Sequence, residues 1–528
     1  MKLPRTMICA PLALLLVIHA CTPLTTGDAA NTGSGYTEQY RPQFHFSPDS
    51  MWMNDPNGMV FYDGEYHLFY QHNPGDNVWG PMHWGHAIST DLIHWEHLPI
   101  ALYPDSLGTI FSGSTVMDWN NSSGLGSAQK PPMVAIFTHH NQDLADQGSD
   151  RFQYQSLAYS LDKGRSWTKY GGNPVLENPG IRDFRDPKVI WHGASEKWIM
   201  ALAAQDRILF YSSPDLIQWT LESEFGENTG AHGGVWECPD LFPLEYEGEE
   251  KWVLLVSINP GGPHGGSATQ YFVGEFDGNT FYNQNPGKEA LWIDHGKDNY
   301  AGVTWSDIPE EDGRRIFLGW MSNWQYANRV PTDRWRNAMT LPRELLLDKN
   351  EHGYLLRSVP VRETEMLREE VLVLEPGPVS GRSDIGPGTG EGYPLYEIDL
   401  VFETDPALFG EGNGFGFILE GSGEEQVGVT FDIKTSRVVI SRLAHSGETD
   451  FSEHFTGFHF APYQIPEGGE IRFHAFVDLS SIELFVDQGR AVMTELVFPD
   501  SGFQRILLYN QEHVNLKEGS IYRLKRIW

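Results

Sequence analysis

The chain has 528 residues, too long for one ordinary domain and enough for two. Its 71 acidic against 37 basic residues give a formal net charge of −34, which repels nucleic acid and anionic lipid headgroups and argues against both as partners. With 55 glycines, 33 prolines, 17 tryptophans and 13% aromatics, turn formers and flat side chains point to many short strands and an all-β fold.

The N-terminus reads as an export signal. Lys2 and Arg5 precede an apolar run from Ala10 to Ile18 that is too short to span a bilayer as a stable helix. The run ends Ile18-His19-Ala20-Cys21, which resembles a bacterial lipobox, although His19 occupies a position where small residues are usual. Ile18-x-Ala20 also suits the peptidase that releases soluble proteins. The expectation is a signal peptide over 1–20, then a lipidated Cys21 and a flexible Thr/Gly/Ala/Ser-rich tether over 21–40. This places the protein outside the cytoplasm, anchored to a bacterial membrane by lipid alone, or otherwise secreted or periplasmic. The other cysteines, Cys9 and Cys238, form no disulfide framework with it, and there is no CxxC to hold zinc.

Short apolar or alternating runs follow, such as Met59-Val-Phe-Tyr, Tyr66-His-Leu-Phe-Tyr, Met133-Val-Ala-Ile-Phe and Lys251-Trp-Val-Leu-Leu-Val. Asp-Gly, Gly-Gly and Asn-Pro pairs punctuate them. An S-x-D…W form recurs at Ser89-Asp91-Trp95, Ser160-Asp162-Trp167 and Ser213-Asp215-Trp219, with the aspartates 71 and 53 residues apart. Those spacings suit one four-stranded blade plus loops, hence a β-propeller, with each Asp closing its own turn as scaffold. After a Gly/Pro/Ser-rich stretch from Glu375 to Gly392, two-residue alternation returns in Val427-Gly-Val-Thr-Phe-Asp-Ile, Ile471-Arg-Phe-His-Ala-Phe-Val and Ile482-Glu-Leu-Phe-Val. One polar and one apolar face indicate a β-sandwich. The expected organisation is a propeller over 41–355 and a sandwich over 356–528.

Three acids share a context. Asp55 lies in Trp52-Met-Asn-Asp-Pro-Asn-Gly58, Asp186 in Arg182-Asp-Phe-Arg-Asp-Pro-Lys188, and Glu237 in Trp236-Glu-Cys-Pro-Asp240. Each precedes a proline by one or two positions and introduces a strong strand. If these strands are the innermost of their blades, three carboxylates converge on one funnel. Two could then cleave a glycosidic bond while the third accepts hydrogen bonds from sugar hydroxyls, with crowding and burial raising the pKa of one. Spacing alone does not separate this from three solvated loop acids.

The same segments resemble the three signature motifs of glycoside hydrolase family 32, the invertases, inulinases, levanases and fructan β-fructosidases. Phe69-Tyr-Gln-His-Asn-Pro74, His83-Trp-Gly-His86, Phe111-Ser-Gly-Ser114, Asp298-Asn-Tyr-Ala301, Gly319-Trp-Met-Ser-Asn-Trp324, Leu341-Pro-Arg343 and Asp478-Leu-Ser-Ser-Ile-Glu-Leu-Phe485 extend the likeness from about Gln43 to Trp528. The resemblance implies a five-bladed propeller followed by a sandwich. It implies Asp55 as nucleophile, Glu237 as acid and base, and Asp186 as transition-state stabiliser, assisted by Arg185. Retention requires the Asp55 and Glu237 carboxyls to lie roughly 5–5.5 Å apart. Asn54, Gln71 and Ser112 are the implied polar contacts for the terminal fructose, Trp79 and Phe111 the apolar wall, and Trp320 a stacking indole at the mouth; Trp84 supports from behind.

Neither metal nor other cofactor is expected, because the pairs His83/His86, His94/His97 and His139/His140 lack a converging third ligand. Met321-Ser-Asn-Trp-Gln-Tyr-Ala-Asn328 resembles the levanase and exo-inulinase branch, so the resemblance implies release of terminal fructose from levan or inulin, favoured over sucrose alone, by a retaining hydrolase. A fructosyltransferase would use the same acids. A non-catalytic fructan-binding lipoprotein would lack Asp55 or Glu237, and both are present. A sialidase is suggested only by the box at Ser160–Trp167, without an arginine triad.

Overall fold

The computed structural model describes residues 35–285, 289–386, 394–404, 414–443 and 447–528. The expected signal peptide, Cys21 and the tether as far as residue 34 lie outside the described residues. From Tyr36 onward the chain forms one compact unit, all-β apart from short helical turns such as Gln142–Asp146.

Five antiparallel sheets form the blades of a propeller. Their innermost strands are Met51–Tyr62 (blade I), Thr109–Met117 (II), Phe184–His192 (III), Val235–Tyr246 (IV) and Tyr300–Thr304 (V), and each packs on the next around a closed ring. Blade V meets blade I through Ser306, whose N–H donates to the Met59 carbonyl at 3.0 Å and whose carbonyl accepts from Phe61 at 2.9 Å. Trp335–Arg336 also runs parallel to Met51–Trp52. The radial arrangement leaves each blade's inner edge short and covered by its neighbours, so it cannot pair with another chain.

The cores lie between blades. Val60, Phe69 and Trp84 meet Met133 and Phe137 between blades I and II; Ile199 and Phe210 meet Trp236, Leu254 and Phe272 between III and IV. The repeated S-x-D…W segments occupy the turns between third and fourth strands of blades I, II and III. Asp91, Asp162 and Asp215 each accept backbone N–H bonds from residues two to four ahead at 2.8–3.0 Å, the scaffold role their spacing indicates.

The outermost strand of blade V, Gly353–Pro360, contains residue 355 and ends at the proline. Beyond it, strands assemble one large sheet folded over an apolar core that includes Ile398, Phe402, Phe417, Val429, Phe473 and Leu484. Its join to the propeller is both apolar and ionic. Phe44, Ile93 and Leu341 pack on Phe476, Phe485 and Val492. Behind them Arg343 pairs with Asp294 at 2.9 Å and with Glu483, while Arg442 pairs with Asp298 at 2.6 Å and Glu495 at 3.0 Å. The motifs at Asp298, Leu341-Pro-Arg343 and Asp478–Phe485 therefore supply this join.

Candidate active site

All five innermost strands carry a β-bulge at the same level, where two residues oppose one on the neighbouring strand. The pairs fall in Asn54/Asp55, Phe111/Ser112, Asp186/Pro187, Cys238/Pro239 and Ala301/Gly302. A bulge interrupts the in–out alternation and re-aims side chains, so adjacent residues of blades I, II and III line one cavity: Asn54 and Asp55, Phe111 and Ser112, Arg185 and Asp186. Pro187 and Pro239 sit where the ladder needs no donor. Asp186, Cys238 and Ala301 have φ of 64°, 45° and 52°, left-handed values that non-glycine residues adopt only when the surrounding structure imposes them.

The bulges bring Asp55, Asp186 and Glu237 from three blades to one cavity of about 410 Å³. Asp55 accepts from Asn54 Nδ2 at 2.9 Å on one oxygen and from Ser112 Oγ at 2.9 Å on the other. Asn54 is itself fixed by the Trp52 indole N–H at 2.7 Å. Asp186 accepts from the backbone N–H of Cys238 at 3.1 Å, and its own N–H donates to Thr138 Oγ1 at 3.0 Å. Cys238 Sγ lies 3.6 Å from Asp55 and 3.5 Å from Asp186. Arg185 donates through Nε and Nη2 to one Glu237 oxygen at 3.1 and 2.9 Å, and the Tyr300 hydroxyl donates to the other. Arg185 is braced from behind by Asp183 at 2.7 Å and Gln153 at 3.3 Å.

Burial dominates the electrostatics. It raises the Asp55 carboxyl above its ordinary value; Asn54 and Ser112 pull it back, and Glu237 adds to the rise. Burial lifts Asp186 to about 7, against the Arg185 charge and with the other two acids pushing the same way. Burial and the neighbouring carboxylates hold the Tyr300 phenol and the Cys238 thiol well above their usual ranges, so both stay protonated as donors.

Of the residues singled out in the sequence, Asn54, Asp55, Gln71, Trp79, Phe111, Ser112, Arg185, Asp186 and Glu237 all line the cavity. Gln71 Nε2 is buried without a partner among the described residues. Trp79 and Phe111 meet edge to face at 6.1 Å on one wall, and His140 stacks on Phe111 at 4.4 Å. Trp84 supports from behind, donating its indole N–H to the Phe111 carbonyl at 3.0 Å.

Trp320 is a correction. It is wholly buried, packed among Trp52, Tyr300 and Trp324, and does not reach the mouth. Trp324, four residues on and past the end of the strand Arg315–Met321, lines the cavity instead. Tyr300, Gln153 and Asp183 were not assigned from sequence. Tyr300 lies inside the Asp298-Asn-Tyr-Ala301 motif, which is the one signal that could have found it.

A propeller with carboxylates from three blades at one end of its axis is a frame for glycosidic bond cleavage. The family model "Glycosyl hydrolases family 32 N-terminal domain" matches residues 45–358, and "Glycosyl hydrolases family 32 C terminal" matches 379–523. A levanase of Bacillus subtilis (strain 168) is 48% identical over 95% of this chain and 73% of its own length. An extracellular exo-inulinase of Aspergillus awamori is 39% identical over 88% of this chain and 91% of its own. A crystal structure of exo-inulinase from Aspergillus awamori superposes with a TM-score of 0.84 at 35% identity, covering 93% of this chain and all of that one. The chain belongs to glycoside hydrolase family 32, and it is a glycosidase.

Proposed function

We propose that the protein releases terminal fructose from levan or inulin, and cleaves sucrose, by double displacement with net retention. Asp55 attacks the anomeric carbon while Glu237 protonates the departing glycosidic oxygen, giving a fructosyl ester on Asp55. Water then attacks the same carbon as Glu237 takes its proton, and the ester bond to Asp55 breaks. The observation that carries this reading is the Asp55 carboxylate, held on both oxygens by Asn54 and Ser112, in one cavity with a Glu237 whose two oxygens are held by Arg185 and Tyr300.

Fixing both carboxyls before substrate binds is preorganisation. Forming the ester removes the Asp55 charge from the cluster, leaving Arg185 as the dominant neighbour of Glu237 in the second step. Asp186, in the same cavity, accepts sugar hydroxyls more strongly as positive charge develops on the ring. Gln71 is free to donate to another hydroxyl, and Trp79, Phe111 and Trp324 offer the apolar wall.

Exo action is supported by the cavity's size, within the roughly 300–1,000 Å³ of small-ligand pockets, and by its filled floor, where Lys188 pairs with Asp240 at 3.1 Å. The likeness to levanase and exo-inulinase favours fructans. Export, with a lipid anchor at Cys21, belongs to the same reading, since such polymers are met outside the cell.

The test is the time course of products from levan, inulin and sucrose, resolved by chromatography. Fructose alone from the earliest point is expected. Early oligosaccharides would overturn exo action, kestose-like products from concentrated sucrose would favour transfer, and no product from a folded sample would remove the fructosidase reading.

A further inference from the structure

A second cavity, of about 520 Å³, opens at the opposite end of the propeller axis. Met117, Trp191 and Phe242 on its walls each follow Ser112, Asp186 and Glu237 by five residues on the same strands, about 17 Å of extended chain. Between the cavities the axis is filled: buried Lys188 pairs with Asp240 and donates to the Thr304 carbonyl at 2.8 Å.

Two indoles stand exposed at this basal opening, Trp119 at 55% and Trp191 at 40%. Both are held in place. The Trp119 N–H donates to Asp307 at 2.8 Å, and its ring rests against Tyr62 at 5.8 Å. The loop carrying Trp119 is cinched on Asp118, which accepts from the N–H and hydroxyl groups of Ser122 and Ser123 at 2.7–2.9 Å. Trp191 packs edge-on against Trp198 at 5.1 Å, whose N–H donates to Ser122 Oγ at 2.9 Å. Rings fixed in advance lose little side-chain entropy when a ligand arrives.

The wall beside the indoles is polar. Asp307 lines the cavity, its two oxygens each accepting one N–H, from Met117 at 3.1 Å and Trp119 at 2.8 Å, with lone pairs to spare. Arg315 lines it too, donating through Nη1 to the Trp305 carbonyl at 3.4 Å, and its buried Nε has no hydrogen-bond partner among the described residues. A flat ring for the C–H face of a sugar, with a carboxylate and a guanidinium for its hydroxyls, matches a carbohydrate better than a purely apolar ligand. The net charge of −34 disfavours an anionic polymer.

We propose that the basal cavity is a second carbohydrate site, binding a stretch of neutral fructan remote from the end being cleaved. This rests on the fructan reading above. Holding the polymer at a second point raises the effective concentration of chain ends at the catalytic mouth.

The experiment compares the full chain with Trp119→Ala/Trp191→Ala. Catalytic efficiency on sucrose, which is too short to use the site, is expected to be unchanged, while KM for levan or inulin rises about five- to tenfold. In the inactive Glu237→Gln background, migration through native gels containing levan or inulin should be less retarded once the two tryptophans are removed. Ala194→Arg, at an exposed position on the cavity wall, obstructs the opening without touching the core and should act likewise even if the alanine pair fails to fold. Unchanged retardation and unchanged polymer kinetics in these variants overturn the proposal. If the wild type cleaves neither polymer, the substrate reading fails separately. The gels then decide the site alone: tryptophan-dependent retardation sustains it, and its absence removes it.

Discussion

The backbone N–H of Cys238 donates to the Asp186 carboxylate at 3.1 Å, so the residue after Glu237 on one blade anchors the acid of the blade before it. The thiol lies 3.5–3.6 Å from Asp186 and Asp55 but is only a weak donor. The backbone is therefore the main tether. Cys238→Ala, which retains that N–H, should fold normally and lose no more than about tenfold in kcat, one weak contact's worth. A loss comparable to that of Asp186→Asn would show that the sulfur, not the backbone, holds the acid.

Ser112 stabilises the ionised form of Asp55 by its 2.9 Å hydrogen bond, against a burial that raises the carboxyl. Removing the hydroxyl in Ser112→Ala should raise the Asp55 pKa further. The acid limb of the kcat/KM profile then moves to higher pH, because the nucleophile needs its charge. A pH–rate series on sucrose checks this; a limb that stays put or moves to lower pH contradicts the assignment.

Asp186 presents a stability conflict. Burial lifts its carboxyl from 3.8 to about 7, so between those values the folded protein holds a proton that the unfolded chain has released. Stability conferred at this site therefore falls as pH rises through that window. Asp186→Asn should reduce kcat by about 10²–10³, as for other lost transition-state contacts. It should also raise the melting temperature above pH 7, with the gain shrinking towards pH 4. A melting temperature below wild type at pH 8 would contradict this.

His45 bridges Asp478 and Glu483, each at 2.8 Å, at the join between propeller and sandwich. Burial pulls its pKa down, but the two carboxylate partners prevail and raise it to about 9 from 6.5. Its contribution is complete below pH 6.5 and is lost as pH rises through 9. His45→Gln should destabilise the protein by about 3 kcal/mol at pH 6, as expected when a buried carboxylate loses its partner. The gap should narrow by pH 10. Urea midpoints at both pH values measure it, and a pH-independent gap would indicate lost packing alone.

Trp320 and Trp324 should separate kinetically. Trp320 is fully buried, so Trp320→Ala is expected to cost about 3–5 kcal/mol of stability. Trp324 lines the cavity, and Trp324→Ala should instead raise KM about tenfold while melting within a few degrees of wild type, through loss of sugar stacking. Equal stability losses in the two variants would place both indoles in the core.

The all-β class, the repeated Asp turns and the three acids were legible because each is local. A turn needs its Asp and the N–H groups just ahead of it, and the proline beside each acid marks a strand without a donor. What the sequence could not convey is which side chains face the axis. Alternation predicts a face only along an unbroken strand, and all five inner strands are bulged at the catalytic level. Trp320 and Trp324 lie in one motif, yet the strand ends at Met321 between them, and that ending sends one indole into the core and the other to the cavity. Tyr300 reaches Glu237 across 63 residues of sequence, and Arg343 reaches Glu483 across 140. By itself the sequence determined the strands and the turns, and its motifs singled out the three acids. Ring closure and the docking of the sandwich decided their convergence, because bringing residues so distant in sequence together depends on packing between sheets, which no local pattern encodes.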